Sequence, residues 1–462
     1  MSSSPSHDDA DNLSAFSAPT AYTATERANA KLLNRFYEPL HLLAVLNADR
    51  GPGEVDLPSA PQSREFRLTL RRSLDDLAWL CDHRHGGETV SAVAVQDLPE
   101  GPKFWLVSKH EASFEHLKWV LRELSAVGHS NDEEVKLATR RIAEQSITLS
   151  KDKVRRYKKA LKLALAKVKE NQTTSGPMRA EQFVDREYCL HEVEAITSIT
   201  DLLELCQACK NFNCWRTLIE VLRWNNLQET RSPWASIWHF VGRLGCWFAK
   251  CENLVLTAQQ LPRLFENAGC EFLVLPTERN IPVNKSNVNL ESALKRMLPV
   301  NQQSGVPKLY EQLTDMRLFS IPDAFSENFT NDRLMGRVHA EVFLLEHFYF
   351  NEFRPWVREK YIGCSKPSCY CCSLYFRFHP GNFVLRPAHN NVYVGWIPPL
   401  MTRLDEPRER KHNLDIMNQI NAYIRRDIRE EIEMRMPRRG KGADSTSGID
   451  TLLIPSAVAT VI

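Results

Sequence analysis

No uninterrupted apolar run in this 462-residue chain reaches the roughly 18 residues that a membrane span needs. Its start, MSSSPSHDDADNLSAFSAP, is polar and acidic and lacks the apolar core of a signal peptide. Charge of one sign is also missing: the formal net charge is +2, too small to argue for or against nucleic acid, where local patches decide. There is no GxxxxGK phosphate loop, no HExxH metalloprotease helix and no GxSxG elbow. GGE at Gly86–Glu88 and HPGN at His379–Asn382 read as turns. No internal repeat and no sustained heptad occurs. These absences point away from a membrane protein, a nucleotide-binding P-loop enzyme, a zincin and a coiled coil. A cytoplasmic or nuclear protein is expected, with its twelve cysteines mostly as buried thiols and a few free to ligate metal.

What is present is an ordinary share of apolar residues, enough for a large core. Helical periodicity runs over Glu26–Asn47 and again near Glu65–Cys81. The period then changes to two. TVSAVAVQ (Thr89–Gln96) puts Val90, Ala92 and Ala94 on one face and Ser91, Val93 and Val95 on the other. KFWLVSK (Lys103–Lys109) is equally strand-like, and DLPEGP between them supplies a hairpin turn. Helical stretches fill most of the chain from Asp132 to about Leu254, followed by the strand-like FLVLPT. NFVLRP and NVYVGW are two further strand candidates, and a charged helix is expected over Asn413–Met436.

The chemistry concentrates after residue 338. His339 and Cys369 are 30 residues apart, and Cys369 and Cys372 bracket two residues. A Cys-x-x-Cys at a helix start lets both thiolates face one ion. Zinc accepts imidazole and thiolate together, and three protein ligands leave a fourth position for water. Glu341 is two residues beyond His339, about 200° around a helix. With His339 at the mouth of the helix, both side chains still reach a pocket there. Glu341 would then stand beside the metal-held water and move its proton.

HAE followed by CxxC resembles the signature of the zinc-dependent cytidine deaminase-like superfamily. YIGCSKPSCYCC with RPAHNNVYVGWIPP is similar to its deaminase-like group common in fungi and also found in rickettsial bacteria. LAWLCDHRHGGETVSAVAV looks like the start of the same domain. The resemblance implies His339, Cys369 and Cys372 as zinc ligands and Glu341 as proton shuttle. It implies an α/β fold: a cytidine deaminase-like mixed sheet with flanking helices, enlarged by a large, mostly helical insertion. The hairpin and the metal segment would then be parts of one split core, about 230 residues apart. Such separation costs little loop entropy, which grows only logarithmically.

The expected organisation is a disordered tail over 1–20, a helical extension over 21–63 and the first part of the core over 64–131. Then come a helical insertion or separate helical domain over 132–325 and the metal-binding part over 326–400. A C-terminal helix over 401–437 and a disordered tail over 438–462 complete it. One departure stands out. Superfamily enzymes often carry an asparagine after the second strand to hold the substrate's sugar, and here that region reads Ser108, Lys109, His110.

Other candidates carry bland readings. Cys371 points away if Cys372 ligates, and Cys364 is a third thiolate only in an unusual site. His389 either lines the pocket or holds a turn. His347 reads as ordinary helix surface or core. Cys206 and Cys209, with Cys214 near, form a second CxxC inside a helical pattern and read as core thiols. Lys151–Lys169 holds nine basic residues against one aspartate. It is either a phosphate rail or a solvated helix face with Val154, Leu161, Leu165 and Val168 packed inward. Two function classes follow. One is a zinc-dependent hydrolytic deaminase of a nucleobase, taken as a small molecule or within nucleic acid. The other is an inactive, zinc-stabilised interaction protein.

Overall fold

The computed structural model describes residues 24–46, 62–128, 130–172, 180–224, 232–280, 289–315, 320–330, 335–399 and 407–434. The expected tails, over 1–20 and 438–462, lie outside these residues. No described helix is long and apolar enough to cross a membrane.

The architecture is mixed α/β, mostly helical, around a four-stranded mixed sheet. Helices α1 (Ala24–Leu46) and α2 (Arg64–Cys81) precede the hairpin β1 (Ala92–Leu98) and β2 (Gly101–Ser108). Seven helices follow: α3 (Glu111–Ser125), α4 (Asp132–Leu149), α5 (Lys151–Gln172), α6 (Ala180–Ser198), α7 (Leu202–Lys210), α8 (Trp215–Trp224) and α9 (Pro233–Gln260). Strand β3 (Gly269–Val274) then runs parallel to β2, and the two-residue strands β4 (Arg279–Asn280) and β5 (Met335–Gly336) pair apart from the main sheet. Between β4 and β5 lie α10 (Leu290–Met297), α11 (Val306–Thr314) and α12 (Ile321–Thr330). The last described elements are α13 (Ala340–Phe350), β6 (Gly363–Cys364), α14 (Tyr370–Phe378) and α15 (Pro407–Glu433). The sheet order is β3-β2-β1-β6, with β1 antiparallel to both its neighbours.

The alternation in β1 decides the layering. Val93 and Val95, with Phe104 and Leu106 of β2, face a core built mainly from α2 to α9. Ala92 and Ala94, with Val107, face a second core containing α1 and α10 to α15. Period-two side chains thus bury both faces of one sheet between two helical layers. The alanines leave room for α13, which lies across β1 and β2.

Local signals set the helix starts. Ser63 caps α2 through Phe66 N, and Asn131 with Glu134 forms a capping box on α4. Ser232 caps α9, with Pro233 in its first turn. Buried ion pairs bind α2 to the helical layer: Asp76 to Lys250 of α9, and Asp82 to Lys153 of α5. Lys153, Arg243 and Lys250 also surround the buried ring of Trp79.

One expectation fails. NFVLRP and NVYVGW form no strands and contribute one bridge each, Tyr361 to Val384 and Arg337 to Trp396. Asn382 and Asn390 sit at φ of 54°, and Pro387 lacks an N–H, so neither run can sustain a ladder. The first strand also starts late. Thr89 Oγ1 donates to Asp82 and Ser91 exchanges hydrogen bonds with Ser365, so regular pairing with β2 begins at Ala92.

Candidate metal centre

Two helix starts converge at one point. His339 is the N-cap of α13, with extended backbone, and its carbonyl accepts from Phe343 N at 3.1 Å. Cys369 is the N-cap of α14, and its Sγ accepts from Cys372 N at 3.5 Å. His339 Nδ1 lies 3.5 Å from Cys369 Sγ and 3.3 Å from Cys372 Sγ. Metal–ligand lengths of about 2.0 Å to nitrogen and 2.3 Å to sulfur give a tetrahedral N–S edge of roughly 3.5 Å. The donor set therefore fits one tetrahedral ion. The His339 side chain is 24% exposed, so the cluster opens to solvent on that side.

The electrostatics suit an ion as well. Burial opposes charge on Cys369, but the Cys372 thiol and the His339 imidazole outweigh it and hold Cys369 well below the ordinary thiol range. His339 is pushed up to about 9 because the facing thiolate overcomes its low-polarity surroundings. Thiolate and imidazole thus favour each other's charged forms across the cluster, and ligation of a metal would release protons.

Glu341 is 3% exposed and stands beside the cluster. Its Oε1 is 4.0 Å from His339 Nδ1, and its Oε2 is 3.9 Å from Cys364 Sγ. Burial first, and then the charge of Cys369, hold this carboxyl above the ordinary range, with His339 acting the other way.

Residues far upstream position the cysteine segment. Asp75 of α2 accepts from Cys364 N at 3.0 Å and from the Tyr361 hydroxyl at 2.8 Å. Arg67 and Arg71 of α2 both bind Glu359, with all three side chains nearly inaccessible. A side chain at Gly363 would meet the Leu74 backbone carbon at 2.4 Å, so only glycine lets β6 lie against α2.

The secondary candidates separate clearly. Cys371 is buried in the core around α14 and outside the cluster. Cys364 faces Glu341 instead of the three donors. His389 Nδ1 accepts from Asn391 N at 3.0 Å, bracing its turn, and its ring stands 5.9 Å from that of Tyr393. His347 packs on Trp105 at 4.6 Å. Cys206 and Cys209 lie fully buried in α7, and no group of three metal donors gathers there among the described residues. The end of β2 does reach the rim: Lys109 binds Glu278 at 2.9 Å, and Glu278 also binds Arg337, two residues before His339, at 2.8 Å.

Three features escape sequence reasoning. Trp396, fully buried, donates Nε1–H to Cys372 Sγ at 3.2 Å, and its carbonyl accepts from Tyr37 of α1 at 2.8 Å. Tyr393 places its ring 6.0 Å from that of His339. NVYVGW contains both residues, and the aromatic-rich run was the available signal. The third is a group formed by Glu346, His379 and His412 with donor atoms within 4.8 Å.

This group fits a metal poorly. His379 Nδ1 accepts from Gly381 N at 3.0 Å, which places the ring proton on Nε2 and removes the lone pair a metal needs. His412 Nε2 lies 3.2 Å from Glu346 Oε1, and the Tyr375 hydroxyl donates to the same oxygen. His379 Nε2 is also 3.2 Å from that oxygen. Burial raises the Glu346 pKa, yet these donors outweigh it and hold it at about 2. The group is a buried carboxylate clamp joining α13, the end of α14 and α15.

Residues 338–400 match the family described as "OTT_1508_deam:-like deaminase". That segment holds all three cluster donors and Glu341, so this part of the chain is deaminase-like. No curated protein and no solved structure matches the chain.

Proposed function

We propose that the protein is a zinc-dependent hydrolytic deaminase acting on a nucleobase, with a cytidine deaminase-like core. The observation that carries this reading is the placement of Glu341. A buried carboxylate 4.0 Å from His339 Nδ1 stands beside three donors suited to zinc and is not one of them. A structural zinc site has no use for such a neighbour.

Zinc, when held by His339, Cys369 and Cys372, supplies Lewis-acid activation of a water molecule. With zinc held there, the Glu341 carboxylate would accept the proton of the activated water and pass it to the ring nitrogen beside the amino-bearing carbon. It then carries the second proton to the departing amine, so that water and amine are exchanged for carbonyl and ammonia. Its raised proton affinity suits a group that must both accept and give. Tyr393, next to His339, offers a ring face against which a flat base can rest.

The test is ammonia release by the purified full chain from nucleosides, nucleotides and oligonucleotides, with zinc per chain measured alongside. Glu341→Ala is expected to keep zinc and lose turnover by about 100-fold or more. Zinc retention by the wild-type chain with no turnover on any of these substrates sinks the enzymatic reading and leaves the inactive interaction protein.

A further inference from the structure

The loop from His83 to Glu88, between α2 and β1, contacts residues that flank the cluster donors in sequence on one side and α5 on the other. On the cluster side, Lys366, three residues before Cys369, donates its Nζ to Gly86 O. Arg337, two residues before His339, lies 3.7 Å from Glu88, and its Nη1 would meet a Cβ on Gly87 at 2.7 Å. On the helical side, the His85 ring is 6.4 Å from that of Tyr157, and Lys153 is paired with Asp82. The loop thus joins the segments beside the metal donors to the start of the basic run of α5.

The charge around this loop is one-sided. Arg84, Lys109, Lys153, Arg156, Arg337 and Lys366 face Asp82, Glu88 and Glu278, six cations against three carboxylates. The excess of three is larger than the +2 of the whole chain. Asp82, Glu88 and Glu278 all lie within ion-pair distance of Lys153, Lys109 or Arg337. Among the described residues, the exposed Arg84, Arg156, Lys159 and Lys162 form no ion pair. His83, His85 and His110 are held below the ordinary histidine range, first by burial and then by the neighbouring Arg84, Arg156, Lys366, Lys153 and Lys109.

We propose that this loop and the adjoining face of α5 bind the phosphodiester backbone of a single-stranded nucleic acid, so that the base reaches the metal cluster as part of a strand. The extent of the basic face favours a strand over a mononucleotide. Arg156 to Lys162 covers about 9 Å of helix at 1.5 Å per residue, beyond what one phosphate group bridges. Successive phosphates along a strand meet such a row, and each contact adds affinity that falls with salt. The His339 side chain, 24% exposed, leaves the cluster open to solvent.

The inference takes the base chemistry from the deaminase reading, but it is tested by binding alone. The probe is a labelled mixed-sequence single-stranded RNA or DNA of about 16 nucleotides, bound to the zinc-loaded full-length Glu341→Ala protein and followed by anisotropy over a salt series. Arg84→Glu with Arg156→Glu is expected to lower affinity at least about 10-fold and to reduce the salt slope by about 1.4, roughly 0.7 per lost phosphate contact. Lys159→Glu with Lys162→Glu, further along the same exposed face, is expected to act in the same direction. Lys295→Glu, on α10 and paired with Glu291, should change affinity less than about 2-fold. Absence of oligonucleotide binding at low salt, equal binding by both charge-reversed proteins, or complete displacement by an equimolar mononucleotide overturns the proposal. Turnover of free nucleosides without strand binding overturns it too, while leaving deamination standing. Strand binding without turnover supports the basic loop and removes the deaminase.

Discussion

The chain contains Cys-x-x-Cys twice, and the two copies have become opposite things. Cys206 and Cys209 lie within α7, one turn apart, packed into the helical layer. Burial pushes both thiols up, and nothing near them favours charge enough to reverse it. Cys369 and Cys372 are buried to the same degree, but Cys369 is the residue that starts its helix. Its sulfur therefore meets the free N–H of Cys372 and the ring of His339. A shared spacing places two sulfurs on one side of a helix in both cases. Where the helix begins, and what faces it, decides between inert thiol and thiolate.

The contrast breaks most sharply on metal content. His339→Ala or Cys369→Ser is expected to weaken zinc binding more than about 100-fold, since changes outside the ligand set alone cost about 10–100-fold. The same experiment on Cys206→Ala with Cys209→Ala should leave zinc per chain unchanged. Loss of zinc from the second protein would mean that the two motifs are not distinct in kind.

A second effect concerns the helix that supplies His339. Glu346, on α13, is held at about 2 against an ordinary 4.5. A carboxyl lowered on folding stabilises the protein above its unfolded pKa, and that contribution disappears as pH falls from about 4.5 through about 2. Replacing Glu346 by Gln should cost on the order of 3 kcal/mol at neutral pH. It should also flatten the acid limb of stability measured by denaturant titration. An unchanged limb would separate the clamp from the stability of the metal half.

Trp396 tests the second sulfur of the cluster. Trp396→Phe removes the N–H that reaches Cys372 and keeps most of the ring. Zinc affinity should fall about 10-fold, and the sulfur-to-metal charge-transfer band of the cobalt-substituted protein should shift. An unmoved band shows that the indole packs without polarising the sulfur. The smallest expected effect belongs to the buried pair in α7, where Cys206→Ala should cost about 1 kcal/mol of stability and nothing else.

The three cluster donors were legible because their geometry is local. Each helix start is written in a few residues, and only the closure between them is long-range. The hairpin was legible for a similar reason, since alternation in TVSAVAVQ reports two buried faces whichever helices cover them. NFVLRP and NVYVGW misled because apolar composition resembles a strand even where Asn382 and Asn390 turn the backbone aside. The pairing of β3 with β2 and the Glu346 clamp were invisible for a different reason. Glu346 and His412 are 66 residues apart, and nothing near either one names the other.

The placement of β6 has a consequence in time. During synthesis, β1 and β2 emerge early and can close their hairpin at once, but the other edge of β1 belongs to Gly363 and Cys364. Ser91 must wait for a partner 274 residues downstream, and Asp75 for one 289 residues away. Through that interval the nascent chain carries an unpaired strand edge and α2 carries arginines with no glutamate, the kind of surface that recruits wrong partners. The cysteine segment is thus the last piece into the sheet, and the metal donors can come together only after the hairpin, α2 and the helical layer have been made.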